Sequence, residues 1–137
     1  MAWNPYSINF GQLAASTTSG HLSLYDCASS LLPKSKTTIN NNPKSIWEYT
    51  NTSSRSIHKI TWSLNNANHI LTANQDGIIR LFDTRIKTTT TDTASTTNTT
   101  NNKQYYPRGE AVRDIQFDPH NSDHLYSIVL NIYLYHL

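Results

Sequence analysis

The residues able to do chemistry in this sequence are few, and their spacing does not bring them together. Six histidines stand at positions 21, 58, 69, 120, 124 and 136. His120 and His124 have the i, i+4 spacing at which a helix would offer two imidazoles to one metal ion. Pro119 and the run Asn121-Ser122-Asp123 make that stretch a turn instead. A single cysteine, Cys27, excludes an internal disulfide and a paired-cysteine metal site, and it fits a reducing compartment. No Gly-rich phosphate loop and no G-x-S-x-G nucleophile turn occurs. Among the nine acids Asp26, Asp76 and Asp83 stand next to turn or strand-end signals, and two of them share a place: Asp26 lies six residues after Gly20, and Asp83 six after Gly77. A repeated place points to turn-capping and strand-end work. On these grounds no catalytic, metal or cofactor site is assigned.

The elements that position those acids come next. The stretches "TTSGHLSLYD" (17–26) and "NQDGIIRLFD" (74–83) each give a polar pair, a turn Gly, alternating apolar residues and then aromatic-Asp. Asp76-Gly77 is a hairpin signal of the type I′ kind, in which both central residues take positive φ. After it Ile79 and Leu81 share one face of a period-2 strand, with Ile78, Arg80 and Phe82 on the other. Leu22 and Leu24 repeat the first face; His21, Ser23 and Tyr25 repeat the second.

The repetition extends beyond the hairpin. Trp3 in "WNP", Trp62 in "WSL" and Phe117 in "FDP" recur at 59 and then 55 residues. Ile57-x-x-Ile60-x-Trp62 matches Val112-x-x-Ile115-x-Phe117 position by position, and Thr72 in "HILTA" matches Ser127 in "HLYSI". Each unit reads as strand, turn, strand, tight turn, strand. Trp47 in "SIWEY" (45–49) falls where a fourth, outer strand of the first unit belongs, and is read as a packing residue.

Composition sets the limits. Of 137 residues 36% are hydrophobic, so a core is affordable while part of the chain stays outside it. The run 87–104 is nearly all Thr, Asn and Ser and reads as a disordered linker; 27–44 holds a milder insertion. A net charge of +2, scattered singly, does not make the basic stripe that nucleic acid requires. The sequons at Asn51 and Asn98 follow from Asn/Thr richness, since no signal peptide precedes them. The apolar tail 125–137 is too short to span a bilayer.

These residues resemble WD40 repeats: aromatic-x-Pro, then L-x-Ser/Thr, then Asp-Gly, then aromatic-Asp. The resemblance implies an all-β fold, an incomplete β-propeller of about two blades plus part of a third, not closed. Blade one would cover 1–49, blade two 55–86 and blade three 109–137. The repeat places are Trp3, Gly20, Tyr25, Asp26, Trp62, Thr72, Asp76, Gly77, Phe82, Asp83 and Phe117. More narrowly, "AWNP", "LTANQDGIIRLFDTR" and "AVRDIQFDPHNSDHLYS" resemble the fungal restriction of telomere capping protein 1 family, the WD-repeat subunits of the vacuole-associated SEA complex. That implies a scaffold regulating the nutrient-responsive TOR kinase, with other WD-repeat subunits as partners, cytoplasmic and reaching the vacuole membrane only through the complex. The family's RING-like zinc region is not carried over, because it needs cysteines beyond Cys27.

In a full WD40 blade a His, a Ser/Thr, the turn Asp and a closing Trp form one hydrogen-bonded network. Here Thr72 and Asp76 match two of its places. Tyr25 and Phe82 stand at the closing aromatic, and Phe has no N–H. His58 reads as a solvent or strand-face residue, and the blades are expected to lean on apolar packing. The ends read as those of a fragment: Met1 falls at the place of Ile60, and Ile132 stands at the turn Gly with no closing Asp. A second functional class is a substrate adaptor of a cullin-type ubiquitin ligase, since "FDTR" (82–85) is similar to the W-D-x-R box. A third is a truncated product without independent function.

Overall fold

The computed structural model describes residues 1–28, 45–51, 53–86, 103–107, 110–121, 124–128 and 132–136. Among them eleven strands form three antiparallel sheets. The first sheet runs in chain order through β1 (Ala2–Trp3), β2 (Gln12–Ser16), β3 (His21–Asp26) and β4 (Ser45–Thr50). The second runs through β5 (Ile57–Trp62), β6 (His69–Asn74), β7 (Ile79–Asp83) and β8 (Lys103–Tyr105). The third holds β9 (Asp114–Phe117), β10 (His124–Ile128) and β11 (Ile132–His136). The fold is therefore all-β, and no sheet closes on itself among the described residues. Each sheet is one blade, with β1, β5 and β9 as successive first strands.

Period-2 alternation gives β6 and β7 of the middle blade apolar residues on both faces, and each face packs on a different neighbour. One core joins Ala14, Leu22, Leu24 and Trp47 of blade one to Ile57, Ile60, Trp62, Ile70 and Phe82 of blade two. The other joins Leu71, Ala73 and Ile79 of blade two to Val112, Ile115, Phe117 and Leu125 of blade three. The Ile-x-x-Ile-x-Trp spacing, which no regular strand explains, has a local cause. A bulge between Ile57 and Lys59 absorbs one residue, so that 57, 60 and 62 share a face.

Four sequence expectations change. Asp76 does not take positive φ, whereas Gly77 does at 80° and Gly20 at 84°. The turn is thus a three-residue hairpin loop, Gln75-Asp76-Gly77, with the Gly amide donating to the Asn74 carbonyl (3.2 Å) and Gly77 in the left-handed region. This is not a type I′ turn. Blade two reaches past residue 86, because Lys103 and Gln104 pair with Leu81 and Arg80 as its fourth strand; 87–102 of the linker lie outside the described residues, as do 29–44 of the earlier insertion. Blade three has a third strand although no Asp-Gly precedes it: β11 pairs with β10 from Ile128↔Ile132 to His124↔His136. His58 lies half-buried on β5 and is engaged rather than simply solvent-facing, for its Nδ1 lies 3.0 Å from the Val112 carbonyl of the next blade.

Candidate interaction site at the seams between blades

The two blade seams are pinned at their rims by polar side chains, and most of the sequence-predicted positions gather there. On one rim the β6–β7 turn meets the segment that leads from β4 to β5. Asp76 is its hub. Arg80, four residues on and facing back across the hairpin, donates from both terminal nitrogens to the two carboxylate oxygens (3.1 and 2.7 Å). Asn51 Nδ2 (3.1 Å) and Ser53 Oγ (2.9 Å) donate from the neighbouring segment, and the Ile78 amide donates at 3.1 Å. Burial alone would raise the Asp76 pKa; the hydrogen bonds from Arg80, Asn51 and Ile78 outweigh it and hold the carboxyl down at about 2. A general base at neutral pH needs a pKa near 7 and a free lone pair. Asp76 has neither, and its role is to tie blade one to blade two.

The same rim explains Gly20. The Asn51 amide donates to the Gly20 carbonyl (2.9 Å), and a Cβ on Gly20 would lie 2.7 Å from the Arg55 carbonyl oxygen. Only a glycine admits that approach at φ 84°. Thr72 is fully buried and accepts from Asn74 Nδ2 (3.0 Å), which also reaches the Ile78 carbonyl. Thr72 and Asp76 therefore belong to neighbouring hydrogen-bond sets bridged by Asn74 and the turn backbone. Ser127, at the matching place in blade three, has a buried hydroxyl without a partner among the described residues. At the closing-aromatic place Phe82 lies edge-on to Trp47 (centroids 5.5 Å apart) and tilted against Tyr49 (4.6 Å), both from blade one. Trp47 Nε1 in turn donates to the Ile86 carbonyl at 2.8 Å. An aromatic cluster across the seam occupies the place of the polar network.

On the opposite rim, Asn4 and Asn9 both donate to the Ala67 carbonyl (2.9 and 3.1 Å), locking the first loop of blade one to that of blade two. Asp83 sits at its strand end with Arg85 folded back onto its carboxylate, which lowers its pKa, and with His69 Nε2 3.7 Å away. Asp26, at the equivalent end, caps the chain by accepting from the Ala28 amide (3.0 Å). Ile8, Phe10 and Leu64 stand exposed on these pinned loops. Tyr25 is half-buried on the outward side of blade one; Trp62 and Phe117 are buried at the seams, and Trp3 is not. Among the described residues no three His, Cys, Asp or Glu side chains cluster as metal ligands, and no helix is long and apolar enough to cross a membrane.

Sequence reasoning missed Arg80, Asn51, Asn74 and His58. Asn51 and His58 contact residues 25 and 54 positions away, and no local pattern marks such a partner. Arg80 carried one signal, its place four residues after Asp76 on the aromatic face of the hairpin.

No protein-family model and no curated protein matches the sequence. Solved structures do match. A chain of the mitotic checkpoint complex aligns with a TM-score of 0.63 at 14% identity, covering 92% of this chain and 32% of that one. The β-propeller domain of Swd1 from Myceliophteria thermophila aligns with a TM-score of 0.60 at 14% identity, covering 93% of this chain and 36% of its own. The second of these is a β-propeller domain, and the likeness is one of fold: the three sheets are blades of a β-propeller. The chain spans about a third of the length of either structure.

Proposed function

We propose that this chain serves as a WD40-type interaction scaffold, binding proteins through a rim of its propeller and carrying out no reaction of its own. The observation that carries this reading is the rim where Asn4 and Asn9 fix two loops against each other at the Ala67 carbonyl. That fixing leaves Ile8, Phe10 and Leu64 in solvent on a rigid base. Exposed apolar side chains on ordered loops suit a protein partner, because their contact area costs little conformational entropy on binding. The saturated hydrogen bonds of Asp76 and Asp83 agree with structural service for the acids.

In its finer form the proposal makes the chain a subunit of an SEA-type complex in nutrient-responsive TOR signalling, with other WD-repeat proteins as partners. It places the chain in the cytoplasm, peripheral to the vacuole membrane only through that complex. The support is the resemblance of residues 71–85 and 111–127. The cullin-adaptor reading rests on the "FDTR" run alone, where the Arg85 guanidinium is already held by Asp83. Affinity purification of the tagged chain tests both. Recovery of WD-repeat SEA subunits, lost in Ile8→Asp/Phe10→Asp with the melting temperature unchanged, is the expected result. Recovery of a cullin adaptor, or of the same subunits by the double variant, would overturn it.

A further inference from the structure

Asn51, Thr52 and Ser53 spell the acceptor sequence for N-linked glycosylation, as do Asn98, Thr99 and Thr100, which lie outside the described residues. A glycosylated asparagine belongs on the surface, because the sugar is bulky and hydrated. Asn51 is 1% exposed, and its polar groups are engaged at the seam between blades one and two. Its Nδ2, the atom to which a sugar is joined, donates to Asp76 Oδ2 at 3.1 Å. Its Oδ1 accepts from the Ser53 amide (3.2 Å). Its own amide donates to the Gly20 carbonyl (2.9 Å), and its carbonyl accepts from the Ser54 amide (3.0 Å). Its stem is equally confined, since a Cβ on Gly20 would stand 2.9 Å from the Asn51 Cβ.

We infer that a glycan on Asn51 and the closed seam exclude each other, so that this chain reaches its fold only in a compartment without N-glycosylation. Transfer breaks the bond between C1 of the first sugar and its lipid pyrophosphate carrier, and joins that carbon to Asn51 Nδ2. The amide loses one proton, and the pyrophosphate leaves on its carrier. The N–H that remains reaches Asp76 only with a sugar ring in the space beside it, which a side chain 1% exposed does not offer. Turned outward instead, Asn51 takes a donor from a carboxylate that links the two blades. Native burial gives no protection in a glycosylating compartment, because the acceptor sequence is within reach before the chain folds. The inference rests on the surroundings of Asn51 and not on the scaffold reading, which stands if it fails.

The test uses the full 137-residue chain carrying Asn98→Gln, which leaves Asn51 as its one acceptor. Made in the cytosol of a eukaryotic cell, the chain should be unmodified by intact mass and resistant to limited proteolysis. Directed into the secretory lumen by an added signal peptide, it should gain an endoglycosidase-sensitive glycan at Asn51 and lose that resistance. Ser53→Ala removes the acceptor sequence but keeps Asn51 and its bond to Asp76, at the loss of one exposed hydroxyl donor. It should recover resistance in the lumen. Tunicamycin, which blocks assembly of the sugar donor, should give the same recovery with Ser53 in place, and so covers the case in which the variant itself is unstable. A chain glycosylated at Asn51 and as resistant as the cytosolic one would overturn the inference. So would a lumenal chain without a glycan, a cytosolic chain without resistance, or a loss that neither Ser53→Ala nor tunicamycin reverses.

Discussion

Asp76 shows how much one carboxylate can be asked to hold at the residue scale. Its folded pKa is depressed from 3.8 to about 2, so its stabilising contribution is complete above pH 3.8 and is lost as the pH falls toward 2. After allowance for solvent screening the loss should be about 1 kcal/mol. Denaturant midpoints measured between about pH 4 and pH 2 should show that slope in the wild type and a flatter one in Asp76→Asn. Gly77 answers to a different force. At φ 80° a β-branched side chain is strained, and Gly77→Val should destabilise by about 1–3 kcal/mol. An unchanged midpoint would remove the turn assignment. Asp76 and Gly77 stand out in the sequence as a turn pair. The four donors around Asp76 do not, since Asn51 and Ser53 arrive from another blade.

Blades are coupled at the scale of elements, through few but large contacts. Phe82 fills the seam beneath Trp47 and Tyr49 and is nearly fully buried. Phe82→Ala should therefore cost about 3–5 kcal/mol, read from the shift in the unfolding curve. His58→Ala removes one hydrogen bond across the second seam and should cost about 1 kcal/mol. The segment between β7 and β8 is a contrasting case. β8 begins at Lys103 and is paired with β7, so a short Gly/Ser link in place of 88–101 changes only a loop term that grows logarithmically. Stability within about 1 kcal/mol of the wild type is expected, provided that 103–105 are kept.

At the scale of the whole molecule the described blades pack one on the next, and the middle blade packs on both of its neighbours. Ile60, Trp62, Ile70 and Phe82 belong to one core, and Leu71, Ala73 and Ile79 to the other. In such arrays stability is the sum of weak units and strong nearest-neighbour interfaces. Residues 53–107 expressed without the flanking blades should accordingly show no cooperative thermal transition by circular dichroism, while the full chain shows one. A sharp transition in the isolated blade would mean that its own sheet, and not the seams, holds the fold.

The sequence by itself determined the repeat: the hairpin glycines, the alternation that gives β7 two faces, the place of Trp47 and the all-β propeller class. These are local features, written every two residues or at a fixed period, and they survive without knowledge of what they touch. Only the tertiary structure decided which blade each face meets, and why Ile57 and Ile60 can share a face across a bulge. It alone showed that a strand forms at Lys103 after a long polar run, and that Arg80 and Asn51 saturate Asp76. Trp3 and Trp62 make the point most directly, being alike in sequence and opposite in burial. Burial depends on what lies across the seam, and no residue carries that information in its own neighbourhood.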